Sequence, residues 1–478
     1  MEASSITRDN LPKSMRYASS SVNAVEADCQ ISRFDSVNGS SGFTATGSNI
    51  IRIRVKADGF LDTQRHLLEF TVAITGHEAQ IDGSAQSFFD QMTISANGVI
   101  LEQIDRYGLY SGIKRNWTSE YKDIQRHSAE AGGAVLASQT QLGAFGLAAA
   151  DTAAAVKAAS DAFLLASNGL VCDVALGNLG QILQVDESKV FTIQLNSGLL
   201  LNQHMKALPD GVQEIEIALR LKAHFGSMVG TGGANVVATI NNPRIFCPTY
   251  KIMNPDVMAS YRSMVAQQGV SIGGVTAKTY INSMPNSANK HVFQINDRSI
   301  SLLGMVTALR SNNADTDRLC YSNTATNILF TGGHVNQYQY FLSGNSYPAQ
   351  PIDLTTASNG KSLGRAYDEA VKTLSKPGHT YSHACPGILQ FGSNKEVYTS
   401  GTSTASIDAG KGLLCVDLKK FDDESLRFKG INTARSSAPG TLEINMSAAP
   451  GEIKDVTTYA LVEAIWVMSP QGNLTVIQ

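Results

Sequence analysis

The chain has 478 residues, 43% of them hydrophobic and 17% charged, with a formal net charge of −3. That length is too great for one ordinary β-sandwich and suits two domains of about 200–250 residues. The balanced charge argues against the basic stripe of a nucleic-acid binder, and a charged fraction below the usual ~25% implies that much nominal surface is buried against something else.

Residues 1–48 are rich in Ser, Asn and Gly and read as an extended N-terminal arm with little core of its own. Arg8, Lys13 and Arg16 stand there against Glu2 and Asp9, a weak positive bias, and no apolar run marks a secretory signal. Strand patterning begins at Ile50, where Ile51, Ile53 and Val55 alternate with Arg52, Arg54 and Lys56. A second strand is predicted over Leu67–Ile74. Met92, Ile94 and Ala96 then alternate into Asn97-Gly98, the pair preferred in a two-residue type I′ hairpin, and VILEQI returns. RYGLYSGIKRNW is predicted to be helical.

Leu136–Asn168 interrupts this pattern. It is Ala-rich, with Val156, Ala159 and Phe163 on one helical face, and reads as a partly helical surface insertion. Strands resume at Val190–Leu195, Val212–Ala223 and Asn235–Phe246. In the second of these, Ile215, Ile217, Leu219 and Leu221 alternate with Glu214, Glu216, Ala218 and Arg220. Pro255–Gln267 is predicted to be a helix, with Asn254 as its cap and Pro255 in its first turn. The domain boundary is expected at this helix, giving an arm over 1–48, a first domain over 49–253 and a second over 254–478.

The second half repeats the plan. Strands are predicted near Ile272–Met284, His291–Asn296, Ser301–Arg310 and Val335–Leu342, then a helix at Leu363–Leu374. Further strands follow near Gly412–Leu418, Thr441–Met446, Tyr459–Met468 and Leu474–Ile477. Many short strands separated by turn residues indicate sandwiches rather than a βαβ fold. The 41 glycines, against roughly 33 at average usage, fit that number of turns.

No catalytic, cofactor-binding or metal site is expected. His77-Glu78 opens like a zinc-protease helix, but Ile81 stands where the second histidine belongs. Gly360-Lys361-Ser362 lacks the upstream glycine of a phosphate loop, because Thr355 stands there. The Gly230–Ala234 stretch resembles a dinucleotide loop only superficially. His379 and His383 are four apart, but Pro377, Gly378 and Pro386 argue against one helix presenting both. Asp422-Asp423-Glu424 reads as a solvated acidic turn. Cys29, Cys172, Cys247, Cys320, Cys385 and Cys415 form no CxxC pair and are expected to be free, mostly buried thiols. Asn38-Gly-Ser and Asn116-Trp-Thr match the glycosylation pattern without a secretory context.

Taken in order, several segments resemble the major capsid proteins of the double jelly-roll lineage, most nearly those of polinton-like viruses and virophage-like elements, which are small tailless icosahedral DNA viruses. They are MTISANGVILEQIDRYGLY, FTIQLNSGLLLN with LPDGVQEIEIALRL, NDRSISLLGMVTALR, QYQYFLSGNSYPAQPIDL with GRAYDEAVKTL, and the ending GINTARSSAPGTLEINMS with YALVEAIWVMSPQGNLTVI. The order of these segments from Ile50 to the end carries the resemblance, while the arm and the Ala-rich insertion fall outside it.

The resemblance implies an all-β fold with a few helices, built as two consecutive antiparallel eight-stranded jelly rolls. It implies a homotrimeric, pseudo-hexagonal capsomer that tiles an icosahedral shell, with no enzymatic activity and no cofactor. The implied partners are the chain itself, neighbouring capsomers, pentons and minor or cement proteins. The arm is the segment that would reach an inner membrane or the genome, without specific nucleic-acid recognition. The implied location is the virion, after synthesis in the host cytoplasm or nucleus and without secretion. Two other readings are a carbohydrate-binding β-sandwich, which would need paired carboxylates or an aromatic platform, and a penton or spike, which usually needs only one jelly roll.

Overall fold

The computed structural model describes residues 27–118 (without 57, 76–78 and 83), 179–222 (without 184–187 and 203–206), 237–311, 335–354, 363–374, 391 and 396–478 (without 401–402, 408–411, 421–427, 437 and 451–452). The first half contains β1 (Ala27–Asp35), β2 (Ile50–Val55), β3 (Phe60–Leu61), β4 (Leu67–Thr75), β5 (Ala79–Asp82), β6 (Phe89–Ala96), β7 (Val99–Asp105), helix α1 (Tyr107–Thr118), β8 (Leu179–Leu183), β9 (Ser188–Ile193), β10 (Ile215–Leu221) and β11 (Val237–Ile252). Helix α2 (Pro255–Gln268) leads to β12 (Val270–Met284), β13 (Lys290–Ile295), β14 (Leu302–Ser311), β15 (Val335–Leu342) and β16 (Asn345–Asp353). After helix α3 (Leu363–Leu374) come β17 (Glu396–Ser400), β18 (Ser403–Ile407), β19 (Leu414–Asp417), β20 (Gly440–Met446), β21 (Lys454–Met468) and β22 (Leu474–Ile477).

Two pairs of four-stranded paths carry the architecture. In the first half the orders are β1-β11-β4-β9, with β3 added to β11, and β2-β10-β6-β7. In the second half they are β12-β21-β14-β19, with β22 added to β21, and β13-β20-β15-β16. Numbered within each half, the two pairs have the same connectivity: the first main strand pairs with the last, and the second with the next to last. Every pairing is antiparallel. This is the eight-stranded jelly roll, present twice.

The alternating sequence explains which face of each strand is buried. On β10, Ile215, Ile217, Leu219 and Leu221 are buried while Glu216, Ala218 and Arg220 are half-exposed. Ile217 sits between Ile53 on β2 and Ile94 on β6. The Asn97-Gly98 hairpin forms, with φ of 49° and 78° at its two turn residues, the left-handed values a type I′ turn demands. Helix α2 is capped as predicted, since the Asn254 side chain accepts from the Asp256 and Val257 amides. Gly269 ends it at φ 67°.

The structure corrects three boundaries. The segment expected as an arm over 1–48 contains β1, which pairs with β11 over nine residues, and Phe43, which is buried in the core. The strand had no visible signature because ADCQISRFD at an edge is largely exposed and so is not obliged to alternate. Residues 345–353 form β16 despite Pro348 and Pro351, which an edge strand tolerates. Strand β11 continues beyond the predicted Phe246 to Ile252, through Pro248. The predicted insertion over Leu136–Asn168 and residues 1–26 lie outside the described residues.

Candidate assembly interface

The two jelly rolls meet along a hydrogen-bonded seam. Strand β7 and the start of α1 bring the first half to it; β12 and β21 bring the second. Trp466, fully buried on β21, donates from its indole N–H to the Leu101 carbonyl at 3.2 Å. Thr279 donates to the Asp105 carbonyl at 3.1 Å, and Tyr459 to the Arg106 carbonyl at 2.9 Å. The Tyr110 ring lies 5.4 Å from that of Tyr459, and Trp117 lies 6.0 Å from both Tyr367 on α3 and Phe391.

Glu102 is the centre of the seam. It is 2% exposed, and its carboxylate accepts from the Ser197 hydroxyl (2.5 Å), the Gly198 amide (2.8 Å), the Leu199 amide (3.3 Å) and the Thr276 hydroxyl of the second jelly roll (2.7 Å). A buried carboxylate needs such a set of donors to remain in an apolar interior. Gly198 and Gly274 allow the backbones to cross here. A β-carbon on Gly274 would collide with the Gly198 carbonyl oxygen and lie 2.8 Å from the Trp466 ring, and one on Gly198 would collide with the Val275 carbonyl.

The loop that supplies Ser197–Leu199 is itself held from the first jelly roll. The Leu195 amide donates to His66 Nε2 at 2.7 Å, and His66 Nδ1 donates to the Thr63 carbonyl at 2.5 Å. Both ring nitrogens are therefore used by the neutral tautomer, and burial pulls the His66 pKa down to about 4. The Asn196 amide donates to the Tyr107 hydroxyl at 2.6 Å.

Charges of alternating sign also cross from one half to the other, ending in a buried pair. Arg220 pairs with Asp90 (2.8 Å), Asp90 with Arg106 (3.9 Å), Arg106 with Asp455 (4.0 Å) and Asp455 with Arg310 (2.9 Å). Only the first and last of these are close enough to be strong hydrogen-bonded pairs.

His77, Glu78, Gly230–Asn235, Gly360–Ser362, His379, His383 and Asp422–Glu424 lie outside the described residues. Among the described residues, no group of three His, Cys, Asp or Glu side chains could hold a metal ion, and no helix is long and apolar enough to cross a membrane. Cys29 is exposed, whereas Cys247 and Cys415 are buried and free. Burial pushes the Cys247 thiol up to about 12. Asn38 serves the fold: its side chain donates to the Ile50 carbonyl and accepts from the Arg52 amide. The seam residues Glu102, Thr276 and Tyr459 were not recognised from sequence, since each reads there as an ordinary polar strand residue.

No protein-family model matches the sequence, and no curated protein matches it. Solved structures do. The PBCV-1 VP54 chain, fitted into a reconstruction of the virophage Sputnik, superposes with a TM-score of 0.56 at 12% identity, covering 95% of this chain and 98% of that one. The Faustovirus major capsid protein gives 0.55 at 9%, covering 95% and 93%. The mavirus major capsid protein gives 0.51 at 8%, covering 98% and 94%. Over nearly its whole length this chain has the double jelly-roll fold of those viral capsid proteins.

Proposed function

We propose that this chain is a major capsid protein, with a structural rather than an enzymatic role, which assembles as a homotrimer into the pseudo-hexagonal capsomers of an icosahedral DNA virus. The observation that carries this reading is the repeated eight-stranded topology within one chain, with the two copies fused by a buried seam. Three such chains give six similar wedges, and a head-to-tail contact between wedges closes as a ring. Obligate contacts of this kind are large and rather apolar, in keeping with the low charged fraction.

We further propose that the first jelly roll ends at residue 253 and the second spans residues 254–478. Pentons and minor capsid proteins are the partners this role requires, and the virion is its location. A virophage-like or polinton-like source fits the segment order of the sequence. A penton or spike is disfavoured by the second jelly roll, and no feature of the described residues favours a glycan-binding role.

Light scattering coupled to size exclusion tests the reading. A species of three times 51.0 kDa, or a larger particle that images as a shell, supports it. A clean monomer at every concentration would sink it.

A further inference from the structure

Helix α2, which joins the two jelly rolls, carries apolar surface that none of the described residues covers. Tyr261 seats it on the first jelly roll: its ring meets Phe60 of β3 edge-on at 4.9 Å, and its hydroxyl donates to the Asp210 carbonyl at 3.2 Å. Val265, one turn on, is buried. Val257 and Met264 continue the same apolar arc on its open side, within about 20° of each other because they are seven residues apart. They are 40% and 46% exposed, and Met253, just before the helix, is 64% exposed. Asp256, Ser260 and Gln267 border this stripe with polar groups. An apolar stripe with a polar border is the pattern of a helix face that packs against another element.

Residues 1–26 lie outside the described residues, but the structure shows where they join the chain. Ala27 opens β1 and pairs with Ile252, the last residue of β11, just before α2 begins at Pro255. The two strands are antiparallel, so the chain that precedes Ala27 leaves the sheet in the direction in which β11 runs on toward α2. The sequence there carries one apolar stripe of its own. Leu11, Met15, Ala18 and Val22 stand at i, i+4, i+7 and i+11, the spacing of one helical face, behind Asn10 as a cap and Pro12 in the first turn. Residues 11–22 in helical form would span about 18 Å, against about 21 Å for α2.

We propose that residues 11–22 form a helix that lies antiparallel on the open face of α2 in the same chain, as a strap over the segment joining the two jelly rolls. In this register Val22 meets Val257 and Met15 meets Met264, since both pairs have the same spacing along their helices. Lys13 and Arg16 then reach the C-terminal end of α2, whose last turn holds no basic residue of its own and whose free carbonyls favour positive charge. Residues 23–26 suffice for the turn, because Ala27 already stands beside Ile252. So short a tether gives the segment of the same chain a high effective concentration over that of another copy. The proposal goes beyond the capsid reading and does not depend on it.

The test uses the full chain in a Cys29→Ser background, which removes the exposed thiol of β1. Under mild oxidation, Val22→Cys with Val257→Cys is expected to form a disulfide within one chain. It should form at least about ten-fold faster than in Val22→Cys with Ser263→Cys, whose second thiol is turned away from the stripe. Peptide mapping identifies the bond. A bond between two chains assigns the cover to another copy and overturns the proposal, as does equal cross-linking of the two pairs. Met15→Asp gives a second readout without new thiols. In it, Met264 should be oxidised by hydrogen peroxide at least about ten-fold faster than in the wild type, while half-buried Met258 keeps its rate. An unchanged Met264 rate overturns the strap. A chain that gives both expected results but never forms a trimer removes the capsid reading and leaves the strap in place.

Discussion

The Tyr459 phenol, on β21, donates to the Arg106 carbonyl 2.9 Å away, and this bond joins the second jelly roll to the residue that follows β7 in the first. Arg106 adopts φ 51°, a left-handed turn that swings the chain from the strand into α1. Its carbonyl also accepts the Tyr110 amide at 3.1 Å. One oxygen thus serves both the first turn of the helix and the partner jelly roll.

Removing only the phenol tests the bond. Tyr459→Phe keeps the buried ring and leaves the Arg106 carbonyl its amide donor. The expected loss is about 0.5–1.5 kcal/mol, read as a lowered urea midpoint with an unchanged slope.

Gly274→Ala tests the crossing of backbones. The new methyl would meet the Gly198 carbonyl and the Trp466 ring, and overpacking of this kind costs about 1–3 kcal/mol. Because the clash falls between the jelly rolls, limited proteolysis should cleave the variant between its halves faster than the wild type. Equal cleavage rates would mean that the seam yields without strain.

Strand register can be tested with a pair of neighbours. Ile217→Asp puts an unpaired carboxylate into the first core and should abolish soluble protein, since burying such a charge costs several kcal/mol. Ala218→Asp, one residue on, points outward opposite Arg52 and should fold normally. Soluble, cooperatively unfolding Ile217→Asp would show the assigned register to be wrong.

Acid should loosen the loop over Glu102. The folded His66 pKa, about 4, lies below the ordinary 6.5, so the folded state favours the neutral ring. This contribution is complete above pH 6.5 and is lost as the pH falls toward 4, amounting to about 3 kcal/mol at the lower end. Wild-type stability should therefore fall between pH 6.5 and 4 more steeply than that of His66→Gln. Parallel curves would rule out His66 as the group responsible.

Much of the fold was legible because half-buried strands must alternate. The pattern of Ile215 to Leu221 gave β10 its inward face, Asn97-Gly98 gave the hairpin, and Asn254-Pro255 gave the start of α2. What escaped the pattern escaped for physical reasons. Strand β1 lies at an edge with most residues exposed, so nothing forces its side chains to alternate. Strand β16 contains two prolines, which weigh against a strand except at an edge. The seam was the least legible part. Glu102 sits in VILEQID, where a polar residue normally faces water, and it is enclosed by Ser197, Gly198 and Leu199 and by Thr276 from 174 residues away. A contact of that range leaves no local trace in the sequence.

The seam also has a thermodynamic consequence for assembly. The joint between β7 and β12 forms within one chain, so its equilibrium does not depend on protein concentration. In the proposed ring of three copies, half of the six joints would therefore be immune to dilution, and only the contacts between copies would respond to mass action. In that proposed assembly each copy would arrive with the orientation of its two wedges already set, and with that much less rotational freedom left to lose.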